Sequence, residues 1–266
     1  MSKGFLIDSH THLDLYELND QEKILKEMKI SSVEALISVS FHLQSVKRNL
    51  DLARRDSRVK VAAGFHPEQR LPSDGELSNL QKFIQEHESE ICAIGEVGLP
   101  FYLMRENSAI TLSPYQELLE VFILQAKHLG KPINLHAVYE HAPIVCDLLE
   151  KHSVKNAHFH WFKGDVNTIK RVKDNGYFVS ITPDVLYEEE IQQLVRLFPL
   201  EQLMVETDGP WQFEGIFKGR MTHPTWMHET IKKIAELKKQ PASLVYKVIF
   251  EQTCAFYNLS TESTEI

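Results

Sequence analysis

The stretch F-L-I-D-S-H-T-H-L-D, residues 5–14, carries an apolar run straight into Asp8 and then into two histidines, His10 and His12. In an extended chain successive side chains alternate faces, so His10 and His12 point the same way, with Asp8 and Asp14 in phase. A first strand that ends by aiming two imidazoles at one place raises the question of what the rest of the chain brings opposite them. Seven more short apolar runs follow, at 33–40, 59–65, 91–99, 131–137, 156–162, 177–182 and 203–209. They are nearly continuous in Val, Ile, Leu, Phe and Ala, as expected of strands buried on both faces of a parallel sheet. Between them lie amphipathic segments such as D-Q-E-K-I-L-K-E-M and L-Q-S-V-K-R-N-L-D-L-A-R-R. In S-P-Y-Q-E-L-L-E-V-F-I-L-Q-A-K-H-L-G, Ser113 reads as an N-cap, Pro114 as the first helical residue and Gly130 as the stop.

Eight βα units without a Gly/Ser/Pro-rich linker predict a single-domain α/β fold, a (β/α)8 TIM barrel over residues 1–259 with a short tail at 260–266. The rival, an open doubly wound sheet, lacks its signature: no G-x-G-x-x-G follows the first strand and no Walker loop occurs. The last helical segment, 241–258, is expected to pack on the outside.

The 266 residues are 43% hydrophobic and 25% charged, an ordinary globular balance. No run of about 18 apolar residues is present, so no membrane partner is expected. The net charge of −8 gives no whole-chain attraction for nucleic acid. Three widely spaced cysteines, Cys92, Cys146 and Cys254, form no metal motif and read as buried thiols of a cytoplasmic protein. Nothing in the pattern calls for an obligate protein partner.

The 13 histidines are the unusual count. In a barrel the chemistry sits at the carboxyl ends of the strands, and six of the eight ends here offer metal-type donors. These are His10 and His12, His66, Glu96, His136, His158 and His160, and Glu206 and Asp208. Of the pair in H-F-H, only one need reach the mouth, and His160 is preferred. Glu206 reads as a support behind the ligands, and His66 as a substrate contact or a structural residue. His42, His87, His128, His141, His152, His223 and His228 fall in or beside helical segments and read mostly as surface residues. Imidazoles with a few carboxylates and no thiolates suit Zn²⁺, Mn²⁺, Fe or Ni, and Mg²⁺ less well. Five or six donors exceed the needs of one tetrahedral ion, whereas two ions sharing a carboxylate would use them all.

In order along the chain, D-S-H-T-H-L-D (8–14), G-F-H-P (64–67), G-E-V-G-L (95–99), L-H-A (135–137), H-F-H-W-F-K-G (158–164), G-Y-F-V-S (176–180) and E-T-D-G-P-W (206–211) resemble the TatD family of metal-dependent hydrolases. These deoxyribonuclease-like proteins belong to the amidohydrolase superfamily. The resemblance implies one or two divalent metal ions, with His10 and His12 as first-strand ligands and Glu96 as the bridging carboxylate. It implies His136 and His160 as ligands of the second metal, and Asp208 as the aspartate that binds metal and takes a proton from the attacking water. Glu96 and Asp208 are thus the expected catalytic carboxylates, and DNA or a small phosphodiester the expected substrate. Three positions depart from the family pattern: Pro100 where G-L-D is usual, Val138 where H-x-R is usual, and R-M-T-H-P (220–224) where R-N-x-P is usual. An arginine fork is a natural phosphate clamp, so Val138 removes an expected anion contact, for which Arg105, Lys163, Lys218 or Arg220 would have to compensate. The sequence therefore carries two further readings, hydrolysis of an amide, lactone or other ester at the same site, and a non-catalytic metal-binding regulator.

Overall fold

The computed structural model describes residues 4–260. Eight parallel strands follow one another around a single sheet in sequence order: β1 (Leu6–Thr11), β2 (Val33–Ser38), β3 (Val59–Ala63), β4 (Ile91–Gly98), β5 (Ile133–His136), β6 (Ala157–Phe159), β7 (Phe178–Ile181) and β8 (Leu203–Val205). Ten helices lie between and after them: α1 (Leu18–Met28), α2 (Leu43–Arg55), α3 (Asp74–Glu86), α4 (Phe101–Glu106), α5 (Ser113–Leu129), α6 (His141–Lys151), α7 (Val166–Asp174), α8 (Glu189–Leu197), α9 (Met227–Lys238) and α10 (Ala242–Tyr257). This is the expected (β/α)8 barrel, with every strand where the apolar runs placed it and each of them shorter. His12, His160 and Asp208 stand just beyond their strands, on the loops of the carboxyl face. Of the expected tail at 260–266, all but Ser260 lies outside the described residues.

The barrel closes between β1 and β8 just past the end of β8. The Asp208 N–H donates to the His10 carbonyl at 2.9 Å, and the His12 N–H donates to the Gly209 carbonyl at 2.7 Å. Thr207 adds its N–H and hydroxyl to the buried Asp8 carboxylate, at 3.0 and 2.5 Å. Burial pushes that carboxyl up to about 7, against the pull of the Thr207 bonds. Asp14, expected in phase with the histidines, lies past the strand in a 3-10 turn over Leu13–Leu15 and takes the Ser45 hydroxyl and the Arg48 guanidinium of α2. Of the two aspartates, therefore, neither joins the histidines.

Two expectations about helices change. Leu112 already has helical φ and ψ (−73°, −34°), so α5 starts with Ser113 inside its first turn and Ser113 is not the N-cap, while Gly130 ends it at φ +62° as expected. The last helix, α10, does more than coat the exterior. Its Tyr257 reaches under the barrel, where its hydroxyl meets His158 Nδ1 at 2.7 Å and Asn134 Nδ2 at 3.1 Å. It packs there with Ile37, Val39, Ala62, Ala93 and Met204 of the barrel interior.

Three of the histidines expected on the surface are buried. His228 sits between the Ser31 carbonyl and the Tyr246 hydroxyl, His223 receives the Thr225 N–H, and His141 packs edge-on against Phe101. Of these, only His228 has both ends of its ring hydrogen-bonded, the condition under which a buried imidazole costs least. Cys146 and Cys254 are buried as expected, but Cys92 is only half-buried, and none of the three forms a disulfide. No helix among the described residues is long and apolar enough to cross a membrane.

Candidate metal centre

Glu96 is the hub of the carboxyl-face cluster. It lies on β4 between Gly95 and Val97 and is fully buried. Its two oxygens face two different sets of donors. Oε2 is 3.3 Å from His10 Nε2 and 3.3 Å from His12 Nε2, and both imidazole nitrogens are 3.3–3.4 Å from Asp208 Oδ1. Oε1 is 2.9 Å from His136 Nδ1, 2.7 Å from His160 Nε2 and 3.3 Å from His66 Nε2. The ring nitrogens of His136 and His160 are 3.1 Å apart, and the His160 ring stacks on His10 at 3.8 Å.

The spacings around Oε2 fit a cation. Bonds of about 2.1 Å at the tetrahedral angle put neighbouring ligand atoms about 3.4 Å apart, the separation found in the His10, His12, Glu96 and Asp208 set. His10 Nε2, Glu96 Oε2 and Asp208 Oδ1 are buried, and none has a hydrogen-bond partner of acceptable geometry among the described residues. Buried polar atoms left so in a native fold need a partner of another kind. The donor set, nitrogen and carboxylate oxygen without sulfur, suits a divalent transition ion.

The electrostatics agree. Burial alone would raise Glu96, yet the imidazoles of His66, His160 and His10 hold its carboxyl well below the usual range. Burial likewise opposes the charge on Asp208, but His10 and His12 keep that carboxyl low. Conversely, burial would lower His10 and His136, while the carboxylates raise His10 well above its ordinary value and His136 to about 9. Two buried carboxylates thus make a field strong enough to draw positive charge into a dry pocket.

The backbone and a polar layer beneath hold this arrangement. Asp208 has φ +47° and Trp161 φ +36°, a region few non-glycine residues adopt; both sit at the mouth, where such strain concentrates. His10 Nδ1 meets Asn134 Oδ1 at 2.9 Å, which puts the ring proton on Nδ1 and turns the Nε2 lone pair to the cluster. Asn134 also reaches His158, Tyr257 and the Ser9 carbonyl. Glu206 behaves as the support expected of it: Oε1 takes the Trp161 N–H at 2.8 Å and Oε2 the Ser180 hydroxyl at 2.5 Å, and Oε1 lies 3.8 Å from His160 Nδ1. His158 points away from the mouth, to Ser180 and Tyr257, so the preferred member of the H-F-H pair, His160, is the one that reaches the cluster. Burial holds His158 neutral, far below its ordinary value.

His66 lies against Phe41 (4.1 Å between ring centres) and opens on the cavity. Its Nδ1 accepts the Glu68 N–H at 3.1 Å, so its proton sits on Nε2. In that tautomer His66 is a hydrogen-bond donor at the cluster's edge.

The cavity above the cluster is about 430 Å³. Phe41, Tyr102, Val138, Trp161 and Trp211 form its apolar wall, and Glu68 and Glu106 add carboxylates. No Lys or Arg lines it among the described residues. The four basic residues expected as substitutes have other contacts: Arg105 lies over Phe101, Arg220 over Trp226, Lys218 pairs with Glu214 at 2.9 Å, and Lys163 lies over the ring of the wall residue Trp161 without lining the cavity itself.

Two contributors escaped the sequence reading. Asn134 had a signal, being a polar residue in a buried strand in phase with His136. Glu68 had none, since a glutamate in a polar loop looks like any solvated charge.

Comparison with known proteins agrees with this architecture. A family model described as TatD related DNase matches residues 7–258. A protein from Haemophilus influenzae named an uncharacterized metal-dependent hydrolase is 43% identical over 255 residues, covering 96% of this chain and all of that one. The human protein named Deoxyribonuclease TATDN3 is 30% identical over 217 residues, 77% of this chain and 78% of that protein. Among solved structures, the TatD homologue YJJV from Escherichia coli superposes with a TM-score of 0.87 at 24% identity, over 96% of this chain and 98% of that one. A barrel whose mouth gathers six such donors, matched by the family model over residues 7–258, belongs to the TatD family of metal-dependent hydrolases.

Proposed function

We propose that this hydrolase cleaves a phosphodiester, a DNA strand end or a small diester, with water activated at a pair of divalent cations. The observation that carries the reading is the division of Glu96, with Oε2 facing His10, His12 and Asp208 and Oε1 facing His136 and His160. His10, His12, Asp208 and Glu96 would hold one cation, and His136, His160 and Glu96 the other. When bound, such ions supply the Lewis acidity that makes water a nucleophile near neutral pH and stabilises charge on the departing oxygen. Asp208, ionised and open to the cavity, accepts the proton that the water loses. His66, protonated on Nε2, donates a hydrogen bond to the substrate. The DNase name of the family and of the human relative supports the phosphodiester. The thiols suit a reducing cytoplasm.

A second reading, a small amide, lactone or other uncharged ester, draws support from the cavity wall. Val138 stands where the family pattern has arginine, and among the described residues no Lys or Arg lines the cavity. One panel separates the two: protein stripped by a chelator, reloaded with Zn²⁺, Mn²⁺ or Mg²⁺, and offered bis-p-nitrophenyl phosphate, single-stranded DNA, a lactone and an amide. Diester turnover is expected. Turnover of lactone or amide alone would transfer the assignment to the second reading, and failure to take up any metal would overturn both.

A further inference from the structure

His136 lies between two carboxylates, one at each ring nitrogen. Glu96 Oε1 is 2.9 Å from Nδ1, and Glu68 Oε1 is 3.0 Å from Nε2. A neutral imidazole carries a single N–H. If Nδ1 turns its lone pair to a cation alongside Glu96 and His160, the proton must sit on Nε2, where Glu68 accepts it. Glu68 is itself held in place: Oε1 takes the Tyr102 N–H at 2.9 Å and Oε2 the Leu103 N–H at 2.6 Å, both from the first turn of α4. The same residue's backbone N–H donates to His66 Nδ1 at 3.1 Å. One loop residue therefore meets two imidazoles of the cluster, one through its main chain and one through its carboxylate.

We propose that Glu68 is a positioning residue that fixes His136 as its Nε2–H tautomer and aims Nδ1 at the cation site, while its main chain sets His66 as a donor. The inference rests on the metal-centre reading above. A carboxylate behind a ligating histidine restricts the ring's orientation and raises its basicity, and losing such a partner costs about 10–100-fold in metal affinity. Glu68 also ties the ring to α4, which carries the cavity residues Tyr102 and Glu106, so the ligand and the substrate wall share one anchor.

The test is a metal titration against a chromogenic chelator, with Zn²⁺ and with Mn²⁺, on the wild type, Glu68→Ala, Glu68→Gln, His136→Ala and the Glu68→Ala/His136→Ala double variant. Thermal melts establish that each is folded. Glu68→Ala is expected to weaken by about 10–100-fold the binding of the ion that His136→Ala also weakens, and to leave the other ion unchanged. Glu68→Gln, which keeps the side chain's length and one acceptor oxygen, is expected to recover part of the loss. In the His136→Ala background, adding Glu68→Ala is expected to change the remaining affinity by less than about threefold, because the pair acts as a unit. Unchanged affinity in Glu68→Ala would overturn the proposal, and so would an equal loss in both backgrounds, which would assign the effect to α4. If Glu68→Ala does not fold, wild-type affinity in Glu68→Gln combined with wild-type activity overturns it as well. His136→Ala binding metal as tightly as the wild type would instead refute the metal-centre reading itself.

Discussion

Asn134 Oδ1 stands 2.9 Å from His10 Nδ1, joining the middle of β5 to the end of β1 across the barrel interior. The amide of the same side chain faces His158 and Tyr257, so one residue couples a cluster imidazole to the floor of the barrel. Asn134→Leu removes the acceptor behind His10 and strands its buried Nδ1–H, whereas His158 and the Tyr257 hydroxyl keep each other as partners. The expected outcome is about 10–100-fold weaker metal binding and a loss of about 1–3 kcal/mol for each buried group stranded. Chelator competition and urea unfolding measure the two effects separately.

Metal itself stabilises the fold, because the native state binds it and the unfolded chain lacks the assembled donors. At a free ion concentration of 100 times Kd the gain is about 2.7 kcal/mol. For a chain of this size that raises Tm by roughly 5–10 °C. Calorimetry of stripped and reloaded protein tests this, and a Tm indifferent to divalent ions counts against the site.

Asp208→Asn keeps the volume and one donor oxygen but cannot take a proton from water. A fall in kcat of about 10²–10⁴ is expected, with a much smaller change in KM. Steady-state kinetics on the best substrate of the panel, at saturating metal, separates lost chemistry from lost metal.

Gly98 pairs with His136 across β4 and β5, and a Cβ there would come within 1.9 Å of the His136 carbonyl oxygen. Neither strand can move without moving Glu96 or His136. Gly98→Ala is therefore expected to destabilise the barrel by about 1–3 kcal/mol or more and to weaken metal binding together with it. Urea denaturation and metal titration on the same preparation check both.

Asp184 fixes the Trp161 wall of the cavity through a 2.7 Å bond from the indole N–H, and takes the Thr182 hydroxyl at 2.5 Å. Burial pushes its carboxyl up to about 6, although those two bonds pull the other way. Because this value is raised, the folded protein holds the proton more tightly than the unfolded chain. The contribution to stability is whole below about pH 4, is lost as pH rises through about 6, and stays lost above. Asp184→Asn keeps an acceptor for Trp161 without the ionisation. It is expected to be more stable than the wild type by about 1–3 kcal/mol at pH 8, with the difference shrinking toward pH 4. Unfolding curves across that range decide it.

Much of the site was legible one residue at a time. Strand alternation alone put His10 and His12 on one face, and the position of Glu96, His136, His160 and Asp208 at the ends of apolar runs placed them at one barrel mouth. Both signals are local, a two-residue period and the place where an apolar run stops. The same local rules failed for His141, His223 and His228, because burial under a helix depends on which element covers it. They also misjudged the last helix, whose amphipathic pattern says that one face is buried but not that Tyr257 enters the barrel floor.

By itself, then, the sequence determined the eight-fold alternation, the order of the strands and the residues that cap them, since these follow from side-chain periodicity along a single segment. Only the tertiary structure decided that Glu96 divides its two oxygens between separate donor sets, that Asn134 and Glu68 stand behind His10 and His136, and that no Lys or Arg among the described residues lines the cavity. Those relations join residues from tens to more than a hundred positions apart, and a carboxylate or amide in one segment acquires a partner only when the closed barrel brings the other segment to it.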